Sequence, residues 1–145
     1  MIKITYRPEE LKIIKENGVE KIFDNIRKRW LVLTPEEWVR QNILQYFVYS
    51  LNYPAKLLAI EKEIMLGSLK KRCDIVLYDR DMKPWMIVEC KEMNAVLDHK
   101  VVDQVLRYHI SLPCAYLVMT NGNYCYGFRK ERGLFVEINE FPQYG

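Results

Sequence analysis

No run of about 18 consecutive apolar residues, the length a membrane helix needs, occurs in the 145-residue chain, and Met1 to Arg7 lack the apolar stretch of a signal peptide. A cytoplasmic protein without a membrane partner is expected. Charge of one sign is not in large excess either: 22 Lys and Arg against 19 Asp and Glu give +3, with a pI near 8.6. Such a field attracts polyanions only mildly and does not by itself define a nucleic-acid partner. Glycine and proline are sparse at six each, and there is no repeat, linker or low-complexity tract, which excludes a collagen-like rod or a disordered tail. Cys73, Cys90, Cys114 and Cys125 form no Cys-x-x-Cys pair, and His99 and His109 are not spaced to chelate from one helical face. Zinc and a disulfide framework are thereby disfavoured, and reduced, buried thiols are expected. What remains is half apolar by residue type and 28% charged, with ten Tyr, five Phe and three Trp. That describes one folded domain over residues 1–145, with residues 1–30 as an N-terminal extension packed on it.

From Pro8 to about Arg29 the apolar residues are mixed and punctuated by Asn17-Gly18, which reads as a short helix, a turn and a second short element. The stretch Leu33-Thr34-Pro35-Glu36-Glu37-Trp38 carries helix-start signals together: Thr34 as N-cap, Pro35 at the first position, Glu37 closing a capping box, and Leu33 stapling onto Trp38. The stripe Val39, Ile43, Tyr46 and Phe47 carries this helix to about Leu51. After Pro54, β-branched runs predict a three-strand meander over Leu57 to Leu66, Arg72 to Tyr78 and Trp85 to Lys91. Helical spacing returns from Leu97 to Leu112 and stops before Pro113. Strands over Ala115 to Thr120 and Tyr124 to Arg129, joined at Asn121-Gly122, and a last one near Leu134 to Ile138 complete an α/β layer fold.

Charges occur where core strands should have none, in Lys71-Arg72-Cys73-Asp74-Ile75-Val76 and Trp85-Met86-Ile87-Val88-Glu89-Cys90-Lys91. If these strands pair antiparallel about a turn near Asp81, opposed residue numbers sum to about 162 or 163, which sets Asp74 across from Val88 or Glu89. Strand alternation places Glu89 and Lys91 on one face, together with Trp85 and Ile87, and turns the Cys90 side chain the other way. Two facing carboxylates repel unless a cation or a proton resolves them. Magnesium would do so, held by Asp74, Glu89 and the backbone carbonyl of Cys90, with Lys91 placed to orient or deprotonate the attacking water and to steady charge on a phosphate. The corresponding reaction class is metal-assisted phosphodiester hydrolysis. It requires both carboxylates on one side of the sheet and neither satisfied by an internal guanidinium.

Asp74 followed by Glu89-Cys90-Lys91 resembles the PD-(D/E)XK nuclease signature. The wider series is similar to the type I restriction enzyme R-subunit N-terminal domain family: Leu33-Thr34-Pro35-Glu36-Glu37-Trp38-Val39-Arg40-Gln41, Lys71-Arg72-Cys73-Asp74-Ile75-Val76, Val88-Glu89-Cys90-Lys91-Glu92, Gln104 to Tyr108, and Thr120-Asn121-Gly122, spanning roughly Arg27 to Gly122. The resemblance implies a restriction-endonuclease-like mixed β-sheet flanked by α-helices and a magnesium-dependent DNA endonuclease or exonuclease, with manganese able to substitute. Asp74 and Glu89 match the metal ligands, Lys91 the catalytic lysine, Gln104 and Tyr108 a Gln-x-x-x-Tyr motif that binds DNA or braces the site, and Glu37 an acidic residue that approaches the metal in several relatives. Cys73 stands where the name-giving motif has proline. No phosphate-binding Gly-x-x-x-x-Gly-Lys-Ser/Thr loop is present, so any ATP-driven motor, like any specificity subunit, would be a separate partner. A double-strand break from one site per chain needs two chains or two visits, which makes a homodimer one route.

Competing readings stand beside these. Asp74, Glu89 and Lys91 could form a structural ion pair on a solvated face. Glu37 is equally accounted for by capping, with Gln41 one turn further on its face as a candidate DNA contact. Tyr108 and Gln104 could be a core stripe, and Glu61 and Glu63 edge-strand charges. The clusters Arg27-Lys28-Arg29-Trp30, Lys70-Lys71-Arg72 and Arg129-Lys130 with Arg132 become phosphate contacts only if they converge on the rim of the site, Lys71 and Arg72 first among them. The same fold as a DNA-binding or accessory module without cleavage is the alternative function.

Overall fold

Beyond Pro54 the β-branched runs build a six-stranded sheet from β4 (Leu58–Leu66), β5 (Leu69–Tyr78), β6 (Pro84–Cys90), β7 (Tyr116–Thr120), β8 (Cys125–Glu131) and β9 (Leu134–Ile138) in that spatial order. The structure is a computed structural model that describes residues 1–6 and 11–145. Neighbouring strands are antiparallel except β6 and β7, which run parallel and are joined across the sheet by helix α2 (His99–Ser111). A parallel pair requires such a crossover, whereas the antiparallel pairs need only turns. Helix α1 (Pro35–Gln45) covers the opposite face. The result is the expected α/β class, a mixed sheet flanked by helices.

Each face buries its own core. Val39 and Ile43 of α1, with Phe47 in the turn that continues it, pack on Ile75, Leu77, Met86, Val88 and Val118, with Ile2 alongside. Val101, Val105 and Tyr108 of α2 pack on Cys73, Val76, Ile87, Leu117 and Met119. All four cysteines are free and buried, as a reduced packing role requires. Side-chain alternation places Ile75 and Leu77 under α1, yet Cys73 lies under α2. The β4–β5 ladder runs Ile60↔Ile75 and resumes at Lys62↔Cys73, so Glu61 and Asp74 drop out of it. Glu61 has φ +54°, a left-handed conformation that a non-glycine residue adopts in a strand only when its surroundings impose it. This break swaps the faces of both strands and leaves Asp74 at the switch.

The N-terminal region departs from expectation. Instead of a short helix, Leu11 onward leads into a three-stranded antiparallel sheet, β1 (Ile13–Glu16), β2 (Val19–Asp24) and β3 (Arg29–Val32). Pro8 to Glu10 lie outside the described residues. Asn17 and Gly18 take positive φ, 51° and 79°, and so form the turn of a hairpin rather than a break between helices. Asn121-Gly122 joins β7 to β8 as expected. The first helix ends as an α-helix at Gln45 and continues as a wider π-helical turn over Tyr46–Ser50, close to its expected end. Trp85 does not share the face of Glu89: it packs edge-on against Tyr53, Tyr116 and Tyr144 in the α1-side layer, next to the irregular pairing at Tyr78↔Pro84, while Ile87 lies under α2 as expected.

Thr34 caps α1 by accepting the Glu37 N–H at 3.0 Å. The Glu37 side chain does not return to close the capping box but turns inward. Thr34→Ala is therefore expected to lower stability by about 1 kcal/mol in urea denaturation, with Thr34→Ser retaining most of it.

Candidate active site

Ladder pairing between β5 and β6 ends at Ile75↔Val88. The register that gives this pair sets Asp74 opposite Glu89, within the expected range. Past it the carboxylate of Asp74 replaces the missing ladder bond, its Oδ2 accepting the Cys90 N–H at 2.8 Å. Its Oδ1 accepts from the buried Arg40 guanidinium at 2.7 Å, so the condition that neither carboxylate be satisfied by an internal guanidinium is not met, and Glu89 is left as the carboxylate without an internal cation against both oxygens. Glu89 is 4% exposed. Its Oε1 accepts from Gln104 Nε2 at 3.0 Å and lies 3.3 Å from Lys91 Nζ, while its Oε2 has no hydrogen-bond partner among the described residues. Burial, followed by the negative charge of Asp74, pushes the Glu89 carboxyl up to about 9, against the pull of Lys91.

On the α1 side a charged network backs this pair. Arg40 donates to Glu37 Oε1 at 2.7 Å as well as to Asp74, and lies 3.5 Å from Glu61 and 3.6 Å from Glu36. Its burial acts against its charge and is outweighed by Asp74 and Glu37, which hold it protonated. Arg27 bridges Asp24 at 2.7 Å and Glu61 at 2.9 Å and reaches Glu37 at 3.5 Å. Gln41 Nε2 donates to both Asp24 and Glu37 at 3.0 Å. Burial raises the Asp24 carboxyl, but the Arg27 N–H, the Arg27 guanidinium and Gln41 together hold it below the ordinary carboxylate range. Among the described residues Asp24, Glu36, Glu37, Glu61, Asp74 and Glu89 thus face only Arg27, Arg40 and Lys91, and the oxygen left without a partner is Glu89 Oε2.

The residues singled out from sequence distribute unevenly around this centre. Asp74, Glu89 and Lys91 come together, and Gln104 touches Glu89 directly. Tyr108 accepts from Gln104 at 2.8 Å and donates to the Arg72 carbonyl at 3.1 Å, so it braces Gln104 from inside the core. The Cys90 side chain is buried in the α1-side core and its N–H serves Asp74. Glu37 is linked to Asp74 through Arg40, and both its oxygens and the Gln41 amide are engaged within the network. Glu61 joins that network, whereas Glu63 stays exposed beside Lys70 and Arg72. Lys71 lines a groove against α2. Arg27 is consumed by internal ion pairs, and Arg129 pairs with Glu131.

Sequence reasoning missed Arg40 and Asp24, and read Arg27 as a candidate phosphate contact, whereas it pairs internally with Asp24, Glu37 and Glu61. The Glu37–Arg40 spacing of three on a helix was the available signal, reinforced by the unusual polarity of the buried α1 positions Arg40, Gln41, Asn42 and Gln45. Among the described residues no three His, Cys, Asp or Glu side chains gather around one point. Two carboxylates with one orphaned oxygen suit magnesium, which takes one or two protein carboxylates and keeps waters, and do not suit an all-protein zinc or calcium cage.

The model of the type I restriction enzyme R protein N terminus family (HSDR_N) matches residues 35–142, most of the chain, and the chain belongs to that family. No curated protein matches it. Among solved structures it is similar to the type IIG restriction endonuclease BpuSI, at 19% identity and a TM-score of 0.38, over 68% of this chain and 11% of that one. This chain thus corresponds to a small part of that enzyme's length. No helix among the described residues is long and apolar enough to cross a membrane.

The raised Glu89 carboxyl has a stability consequence. Between the ordinary value of 4.5 and about 9 the folded chain holds a proton that the unfolded chain releases, so stability falls as pH rises through that window. Glu89→Gln removes this loss and can donate toward Asp74. In a chelator, its denaturation midpoint is expected above wild type at about pH 8, with the difference closing toward about pH 5. A difference independent of pH would show that Glu89 stays ionised in the folded protein.

Proposed function

We propose that the chain is a magnesium-dependent deoxyribonuclease domain, with Asp74 and Glu89 as metal ligands and Lys91 as the catalytic lysine. The observation that carries this reading is the buried Asp74–Glu89 pair with Glu89 Oε2 unpartnered, because a buried orphan carboxylate oxygen is costly unless a cation or proton belongs there. A bound divalent ion would supply Lewis-acid polarisation of the phosphate and a lowered water pKa. The chain's own part is positional. The Cys90 N–H and Arg40 fix the Asp74 carboxylate, and Gln104, itself held by Tyr108, fixes Glu89 Oε1 and leaves Oε2 free. Lys91, 28% exposed at its side chain, can orient the attacking water and steady negative charge on the scissile phosphate. Glu37 acts through Arg40 as a positioning residue. Membership of a restriction R protein family supports DNA as substrate and separate motor or specificity subunits as partners. Manganese would substitute for magnesium at such an oxygen site, and a double-strand break would take two copies or two visits.

A second reading has an observation of its own. The Arg40 guanidinium already neutralises Asp74, which suits a DNA-binding or accessory module of the same fold without turnover. The test is cleavage of duplex, single-stranded and branched DNA with magnesium or manganese. Wild type is expected to cut, and Asp74→Asn, Glu89→Gln and Lys91→Ala to remain folded while losing on the order of 100-fold or more. Salt-dependent binding with no metal-dependent product would select the accessory module instead.

A further inference from the structure

Two openings flank the Asp74–Glu89 pair, and their charges are opposite. One lies between β3 and α1 and is lined by Glu36, Glu37, Glu61 and Glu92 around Arg40. The other is a groove of about 430 Å³ between α2 and the β4–β5 hairpin, lined by Lys71, Lys100 and Arg107 with Asp103, over a floor of Gln104 and Tyr108. Among the described residues Lys71, Lys100 and Arg107 make no ion pair, and all three side chains are exposed. The face swap at Asp74 sets Lys71 on the α2 side, one alternation from Cys73, which is why a β5 lysine meets two α2 cations. Gln104 belongs both to the groove floor and to the Glu89 contact, so the groove leads to the orphaned oxygen through one side chain.

We infer that the groove between α2 and the β4–β5 hairpin is the track for a nucleic-acid backbone, with phosphates on Lys71, Lys100 and Arg107, while the acidic opening excludes the polyanion. This deepens the proposed function and rests on it for the choice of nucleic acid, but the binding itself needs no metal. The chemistry is direct. Three cations without ion-pair partners among the described residues, Lys71 on one wall of the groove and Lys100 and Arg107 on the other, neutralise phosphates and release counterions, and each contact contributes about 0.9 to the salt slope of binding to duplex DNA. Four carboxylates around a single guanidinium repel the same polymer. Lys100 and Arg107, seven residues apart, lie on the same face of α2 two turns from each other, and neither was a candidate from sequence.

Fluorescence anisotropy of a labelled short DNA duplex, titrated with the full chain in EDTA across a salt series, tests this. The triple variant Lys71→Gln/Lys100→Gln/Arg107→Gln is expected to bind roughly tenfold or more weakly, with a log–log salt slope shallower by about 3. The matched variant Lys28→Gln/Arg29→Gln/Arg132→Gln, which removes equal charge from exposed positions elsewhere, is expected to keep most of the wild-type slope. Equal losses in the two variants would reduce the effect to net charge and overturn the groove assignment, as would an unchanged slope in the first. Polyglutamate competing as well as DNA would overturn the choice of nucleic acid. Groove-dependent DNA binding by wild type in EDTA, with no cleavage when magnesium or manganese is added, would fail the nuclease reading alone.

Discussion

A carboxylate pair buried at the point where two strands part is the constraint around which the rest of this molecule is arranged. Asp74 and Glu89 repel each other and are both removed from water, and the low dielectric around them magnifies each term. The two halves of the pair are treated differently. Asp74 is fully engaged by Arg40 and the Cys90 N–H, whereas Glu89 is steadied on one oxygen only. The repulsion is thus concentrated on a single atom, Glu89 Oε2. Burial and Asp74 raise the Glu89 carboxyl, and Oε2 is the atom left without a partner among the described residues.

The backbone follows from the same requirement. A regular β4–β5–β6 meander would continue its ladders past Ile75 and leave no donor for Asp74. The β4–β5 ladder skips Glu61 and Asp74, at the cost of a left-handed Glu61, and resumes at Lys62↔Cys73, while the β5–β6 ladder stops at Ile75↔Val88 and the Cys90 N–H donates to the Asp74 carboxylate instead. Strained residues of this kind cluster where function overdetermines them. Glu61 also places its own carboxylate between Arg27 and Arg40, so one irregular residue supports the site both by backbone and by charge.

Much of this was legible in the sequence for definite reasons. The cap at Thr34, the Val39–Ile43–Phe47 stripe and the β-branched runs encode local structure, and the turn near Asp81 fixes the register that brings Asp74 and Glu89 together. The charged doublet in otherwise apolar strands announced the site. Two things were hidden. The hairpin at Asn17-Gly18 was missed although the same dipeptide at Asn121-Gly122 was read correctly, because the mixed apolar spacing around Leu11 to Ile14 obscured the strand period. Arg40 was missed because its role depends on the fold: only the packing of α1 over the strand fork carries a helix residue to Asp74, and no local pattern encodes that approach. The face swap at Asp74 is invisible for the same reason, and with it the convergence of Lys71 with α2.

The N-terminal sheet shows how far the site extends beyond the span that defines the family. Residues 13–32 precede the matched span 35–142, yet Asp24 and Arg27 reach Gln41, Glu37 and Glu61. Asp24 is wholly buried and stays ionised because Arg27 and Gln41 satisfy it, so the contact is a set of charge-assisted bonds between mutually dependent groups rather than a loose surface pairing. Removing one partner from such a buried set leaves the others uncompensated, at a cost of about 3–5 kcal/mol. The sheet therefore fixes Glu37 and, through it, the placement of Arg40 on Asp74. The carboxylate that Arg40 neutralises is thus held in that state by a segment outside the matched span, while Glu89 is held by α2 through Gln104. Charge neutralisation at the two ends of the pair is controlled by separate elements, one on each face of the sheet.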